Sequence, residues 1–213
     1  MLTIPELYWG GFLAADGNVD DLNRVRLGLH YKDVAHVAKF KAFTGKPNII
    51  QHTEAYPDRC TFEFTDAKMV RYLRDNFNIV PNKSLIYSIP DSITEEQFPH
   101  FVRGIFDGDG CICESFSNVN SKMATLYTTF VGSTDSMQQI YDRLQKYIGI
   151  TGHLQSRKKY SSTGSEFSMI KYSTNKSKVL LDYLYSKSTE DTRLDRKYAL
   201  YHNIIVLGNR LMR

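Results

Sequence analysis

Trp9-Gly10-Gly11-Phe12-Leu13-Ala14-Ala15-Asp16-Gly17 and, 93 residues further on, Val102-Arg103-Gly104-Ile105-Phe106-Asp107-Gly108-Asp109-Gly110 are one pattern written twice. In each, an apolar run with small residues on one face ends in an Asp-Gly pair, and strand-like sequence follows. Gly11 and Ala15 are four apart, as are Gly104 and Gly108, so each pair shares a helix face. Small residues there let two backbones approach closely. Helices crossing along those faces bring their C-terminal ends together, and with them Asp16 and Asp109. Two carboxylates about 4 Å apart repel by roughly 4 kcal/mol at an effective dielectric near 20. A shared proton or divalent cations must offset that. The negative ends of the helix dipoles make a cation more welcome still, and hard oxygen ligands point to Mg²⁺ (or Mn²⁺). Either Asp-Gly pair alone reads as an ordinary helix end. The matching repeat is what gives the pair weight.

Outward from the two stretches, each half carries the same elements. A helix over 5–16 is followed by alternation at Val25, Leu27, Leu29 and Tyr31, a half-buried strand. A helix over 33–43 stops at Gly45 and Pro47. Strands follow over 49–53 and 59–65, then a helix over 66–77 with Asp66 as its cap. Residues 78–93 form a connector, and Thr94 with Gln97 offers a capping box to the second motif helix. The second half repeats the order: strands over 111–117 and 125–131, a helix from Thr134 or Asp135 to 148, strands over 153–160 and 166–172 around a turn at 161–165, a helix over 176–185. A last helix covers 193–206. The fold class is α+β. The division falls at 1–90 and 91–213.

Both stretches resemble the LAGLIDADG motif of homing endonucleases. The first matches its third, seventh, eighth and ninth letters at Gly11, Ala15, Asp16 and Gly17. The second matches the third, sixth, eighth and ninth at Gly104, Asp107, Asp109 and Gly110. The departure is Ala14, where the motif has an acidic sixth letter. The resemblance covers nearly the whole chain and implies a double-motif monomer of two pseudo-symmetric αββαββα repeats, each with a four-stranded antiparallel sheet, that acts on double-stranded DNA. It implies that Asp16 and Asp109 bind the catalytic metals, helped by the carbonyls of Ala15 and Gly108. It also implies cleavage of both strands across the minor groove, leaving short 3′ overhangs. Related endonucleases place a lysine near each metal centre. Lys83 is the best match ahead of the second motif, and Lys187, Arg193 and Lys197 all lie in the corresponding region of the second half.

A two-stranded ribbon fits the major groove, and a twisted four-stranded sheet per half makes a DNA-binding saddle with one polar face. Alternation puts Arg24, Arg26, His30, Gln51, Arg59 and Glu63 on that face in the first half. In the second it puts Ser115, Ser117, Tyr127, Thr129, Gln155, Arg157 and Lys171 there. Arginine pairs with guanine, glutamine with adenine and glutamate with cytosine, so the mixture suits base reading more than a phosphate track. Any half-buried sheet also has a polar outer face. The two halves differ, so an asymmetric target is expected.

The 213 residues suffice for a substantial core. A net charge of +4 and a pI near 8.8 permit nucleic acid without requiring it. Cys60, Cys111 and Cys113, sparse and odd in number, argue for reduced thiols. No signal peptide or membrane-length apolar run is evident, which suggests a cytoplasmic (bacterial or phage-encoded) or organellar protein that is neither secreted nor membrane-bound. Asp107-Gly108-Asp109-Gly110 resembles the start of an EF-hand loop, but Ile112 and Asn118 stand where that loop needs Gly and Glu. The reading is a site-specific, metal-dependent DNA endonuclease of the homing type. The alternatives are an RNA maturase that binds intron RNA, and a DNA-binding regulator without cleavage.

Overall fold

A computed structural model describes residues 1–116, 124–157 and 167–206. The first half runs α1 (Ile4–Ala15), β1 (Gly17–Val19), β2 (Arg24–His30), α2 (Val34–Thr44), β3 (Gln51–Thr53), β4 (Tyr56–Thr65) and α3 (Ala67–Phe77). The second runs α4 (Phe98–Asp109), β5 (Cys111–Phe116), β6 (Ala124–Ser133), α5 (Thr134–Ile148), β7 (His153–Arg157), β8 (Phe167–Ser173) and α6 (Thr174–Tyr185), with α7 (Asp195–Tyr201) added. Both sheets are antiparallel, in the orders β1-β2-β4-β3 and β5-β6-β8-β7. One topology is therefore built twice, as the repeat predicts. β1 is the one element of the first half that the hydrophobic pattern does not announce. The expected last helix is shorter than 193–206: α7 ends at Tyr201, and residues His202–Val206 continue it as a π-type turn. Ser117, the end of the expected strand at 158–160 and the turn at 161–165 lie outside the described residues.

Helix α1 starts at a complete capping box, Thr3 with Glu6, and has Pro5 in its first turn, where a missing N–H costs nothing. Residues 7–14 are buried without interruption, as befits a helix enclosed on every side. Helix α4 is buried in the same way from His100 to Asp107. The expected box of Thr94 and Gln97 is present, and it closes the turn just ahead of α4. The two motif helices form the centre, and each sheet lays its apolar face against the surrounding helices. Val25, Leu27, Cys60, Phe62 and Phe64 point inward from the first sheet. Leu126, Phe130, Ile170 and Tyr172 do so from the second.

The connector touches both halves: Lys83 donates to the Gly17 carbonyl of the first, and Ile89 is held by the second. Gln139 of α5 both accepts the Ile89 N–H (2.7 Å) and donates to the Ile89 carbonyl (3.1 Å). In α3, Asp66 accepts the N–H groups of Lys68 and Met69 and takes the ammonium of Lys46 at 2.5 Å. Asp66→Ala is expected to cost about 1 kcal/mol, the usual worth of an N-cap, with a smaller share from the part-exposed ion pair. Urea unfolding measures this. An unchanged midpoint would count against the cap.

Candidate active site

The crossing of α1 and α4 sets the site. A Cβ placed on Gly11 would stand 2.0 Å from the Phe101 carbonyl oxygen, and one on Gly104 would stand 2.1 Å from that of Tyr8. The two backbones touch where the small-residue faces place the contact. One turn on, a Cβ on Gly108 would lie 2.5 Å from the Ala15 methyl and 3.4 Å from Asp16 Oδ2. The C-terminal ends therefore meet, with Asp16 as the C-cap of α1 and Asp109 as the last residue of α4.

Each carboxylate has one side in solvent and the other against protein. Burial pushes Asp109 up to about 6, and the charge of Asp16 is the next cause. Burial also raises Asp16, while the ammoniums of Lys197 and Lys83 act in the opposite direction. Two acids that resist ionisation together make a site that gains by taking a cation. Last-turn carbonyls have no intrahelical partner, so those of Ala15 and Gly108 add neutral oxygens beside the carboxylates. This all-oxygen donor set suits Mg²⁺ or Mn²⁺. Among the described residues no group of three or more His, Cys, Asp or Glu side chains gathers as a metal site. A cation placed there would draw its remaining ligands from water or substrate oxygens.

Two lysines flank the carboxylates. Lys83 sits in a single 3₁₀ turn of the connector, is 4% exposed and donates to the Gly17 carbonyl at 2.6 Å. Lys197, on α7, is 3% exposed and donates to the carbonyls of Phe106, Asp107 (2.9 Å) and Gly110 (2.5 Å). Gly17 and Gly110 are the ninth letters of the two motifs, so the lysines are pseudo-equivalent. Of the three second-half candidates, the structure brings only Lys197 to the carboxylates. Lys187 lines a cavity with Pro99 and His100 near the other end of α4. The Arg193 guanidinium lies over the Tyr198 ring at 3.5 Å. Burial lowers both lysines, Lys197 to about 8. Both lysines are thus buried on backbone carbonyls and are not solvated loop side chains.

Asp107 and Arg103 hold the surroundings and were not legible as such. Asp107 is 1% exposed and accepts from the Tyr8 hydroxyl (2.8 Å), the Tyr185 hydroxyl (2.5 Å) and the Leu194 N–H (2.7 Å). The Tyr8 proton is thus committed, so His36 Nε2, 3.1 Å from that oxygen, carries its own proton. Burial holds His36 neutral, down to about 3.

The polar sheet faces come out as the alternation predicts. In the first half Arg26 lies opposite Glu63, Gly28 opposite Thr61, and His30 opposite Arg59, while Gln51 lies opposite Thr61 from the other side. The guanidinium of Arg26 binds Glu63, and Arg24 binds Asp20 at 2.6 Å. Arg59 lies across Gly28, with Nη2 3.0 Å from where a Cβ would be. Arg26, Gln51, Arg59 and Glu63, with Thr61 and exposed Tyr56, line a cavity of about 320 Å³. Tyr56 is a further candidate that the strand pattern missed, because β4 begins earlier than its alternation. In the second half Tyr127 and Thr129 share the outer face with Ser115, Gln155 and Lys171, and the Lys171 ammonium stands 3.6 Å from the Tyr127 ring centre. Arg157 is paired with Phe167 in the ladder. Ser117 lies outside the described residues.

Two αββαββα halves around a pair of acid-tipped helices are the architecture of LAGLIDADG homing endonucleases, and the chain has that fold. A solved structure of the I-LtrWI LAGLIDADG homing endonuclease bound to target DNA superposes with a TM-score of 0.65 over 96% of this chain and 90% of that one, at 10% identity. I-SmaMI bound to an uncleaved DNA target in the presence of calcium ions gives 0.61 over 98% and 92%, at 12% identity. I-SmaMI bound to cleaved DNA gives 0.60 over 95% and 87%, at 13% identity. No family model and no curated protein sequence matches the chain. Among the described residues no helix is long and apolar enough to cross a membrane.

Proposed function

We propose that this protein is a monomeric, site-specific endonuclease of the homing type that cuts both strands of a long asymmetric DNA duplex with Mg²⁺ or Mn²⁺. The observation that carries the reading is the centre itself. Paired carboxylates of raised proton affinity stand between two buried lysines on equivalent backbone carbonyls, below two polar sheet faces. Asp16 and Asp109, with the carbonyls of Ala15 and Gly108, hold the cations. A bound divalent ion lowers the pKa of its water and offsets charge on the attacked phosphate. Lys83 and Lys197 bring a positive charge to each scissile phosphate and stabilise charge as it develops. With three donors, an ammonium that lies on carbonyls can turn one N–H toward a phosphate oxygen. The face residues, from Arg24, Arg26, His30, Gln51, Arg59 and Glu63 to Ser115, Tyr127, Thr129, Gln155, Arg157 and Lys171, read base edges and fix register.

Selection from randomised duplex DNA in Ca²⁺, followed by a challenge with Mg²⁺, tests this. The expected result is one long asymmetric site, cut on both strands, with binding that falls by about 0.9 in log–log slope per phosphate neutralised. Failure to enrich any duplex would sink the reading and direct attention to intron RNA. Enrichment without cutting would leave a DNA-binding regulator.

A further inference from the structure

The two lysines reach the centre by different routes. Lys83 rides on a connector tethered at both ends, by α3 and by α4. Lys197 follows a stretch from Ser186 to Leu194 whose only regular structure is the 3₁₀ turn Glu190–Thr192. Two side chains of α4, one helical turn apart, hold that stretch. Arg103, fully buried, donates from Nε to the Thr192 carbonyl (2.7 Å), from Nη2 to the Thr192 hydroxyl (3.2 Å) and from Nη1 to the Leu184 carbonyl (2.8 Å). Asp107 takes the Leu194 N–H, three residues before Lys197. Nη1 and Nη2 also lie 3.3 and 3.4 Å from His100 Nδ1, and among the described residues Arg103 has no ion pair, so its buried charge is held by two carbonyls, a hydroxyl and an imidazole nitrogen.

The first motif lacks both anchors. At the repeat offset, Gly10 stands where Arg103 stands and Ala14 where Asp107 stands. The space above Gly10 is filled by the Phe77 ring, 2.6 Å from where a Cβ would be. The departure of Ala14 from the motif thus coincides with a lysine whose segment is held from α5, by Gln139 at Ile89, and not from its own motif helix.

We infer that Arg103 and Asp107 are positioning residues for Lys197, so that cutting of one DNA strand depends on this buried clamp and cutting of the other does not. The inference rests on the endonuclease reading for its consequence, but the clamp acts on this chain's own geometry. The variants are Asp107→Ala, which copies Ala14, and Leu194→Pro. At Leu194, φ is −83° and the preceding residue is extended, so proline fits and the N–H to Asp107 is deleted. Lys197→Met and Lys83→Met serve as references.

With duplexes labelled on each strand, Asp107→Ala is expected to slow the strand that Lys197→Met slows by 10-fold or more. The Lys83-dependent strand should stay within about twofold, nicked duplex should accumulate, and affinity in Ca²⁺ should not change. Equal slowing of both strands, slowing of the Lys83 strand or no slowing would overturn the inference. A second readout needs no cleavage. Amine labelling followed by mass spectrometry should find Lys197 at least 10-fold more reactive in Asp107→Ala and in Leu194→Pro, with Lys83 unchanged. Unchanged Lys197 reactivity in either folded variant overturns the clamp. A parent protein that cuts neither strand would sink the endonuclease reading alone, and labelling would still decide the positioning.

Discussion

Gly104→Ala is expected to lose about 3 kcal/mol or more of stability and most of its cleavage activity. The added methyl would meet the Tyr8 carbonyl oxygen at 2.1 Å and the Phe12 nitrogen at 2.6 Å. Both are backbone atoms inside a helix, so no rotamer change makes room. The helices must separate by about 1 Å, and both are packed on every other side. The same movement parts Asp16 from Asp109. A displacement of about 1 Å at a reacting centre costs on the order of 100-fold in rate. Thermal unfolding and single-turnover cleavage measure the two effects separately. A variant with an unchanged melting temperature would show that the crossing is not as close as described. Gly45→Ala is the control: nothing lies within 4 Å of its added methyl, so only the modest strain of a left-handed residue is expected there.

Asp109→Asn is expected to abolish cleavage, by on the order of 10³-fold or more, while making the metal-free protein more stable. The folded state holds the Asp109 carboxyl at about 6, above the ordinary value of 3.8. An acid raised on folding penalises the native state at every pH above its folded value. That penalty shrinks as pH falls from about 6 through 3.8 and is gone at about pH 3, where the group is protonated in both states. Removing the charge should therefore stabilise the protein by about 1–2 kcal/mol at pH 8 in EDTA, a figure reduced for the solvent on one side of the group. The advantage should shrink through that range and vanish at about pH 3. Mg²⁺ should raise the melting temperature of the parent far more than that of the variant, as expected for a ligand bound by the native state. A variant less stable than the parent at pH 8 in EDTA would refute this account of the paired acids.

The fold was readable because its signals are local. Two Asp-Gly-ended helices with matching small-residue faces, and strands such as Arg24–His30 that alternate cleanly, carry their structure in their own spacing. Asp66 announced its helix for the same reason. Strand β1 did not, since three residues give no period. The site was half legible. Asp16 and Asp109 follow from the motif helices, but the choice of Lys197 over Lys187 and Arg193 depends on how α7 docks, and no local pattern encodes that. Nothing in the local pattern singles out Arg103. Its burial depends on carbonyls 81 and 89 residues away. Tyr56 was missed because β4 extends past its alternating core.

The ties between α7 and the first half set an order of assembly. Lys39 binds Asp195 across 156 positions of chain at 2.7 Å, and Arg196 binds Asp33 across 163 positions at 3.0 Å. Each sheet, by contrast, forms from residues of one half. Contacts that close so long a loop form late, after the entropy of closure has been met by nearer ones. A chain with both sheets formed and α7 not yet docked would already have its two carboxylates side by side, with one lysine in place of two. On the proposed endonuclease reading, competence to break both strands would then be acquired in the last step of folding. Refolding followed by strand-resolved cleavage would show a transient that nicks before it cuts.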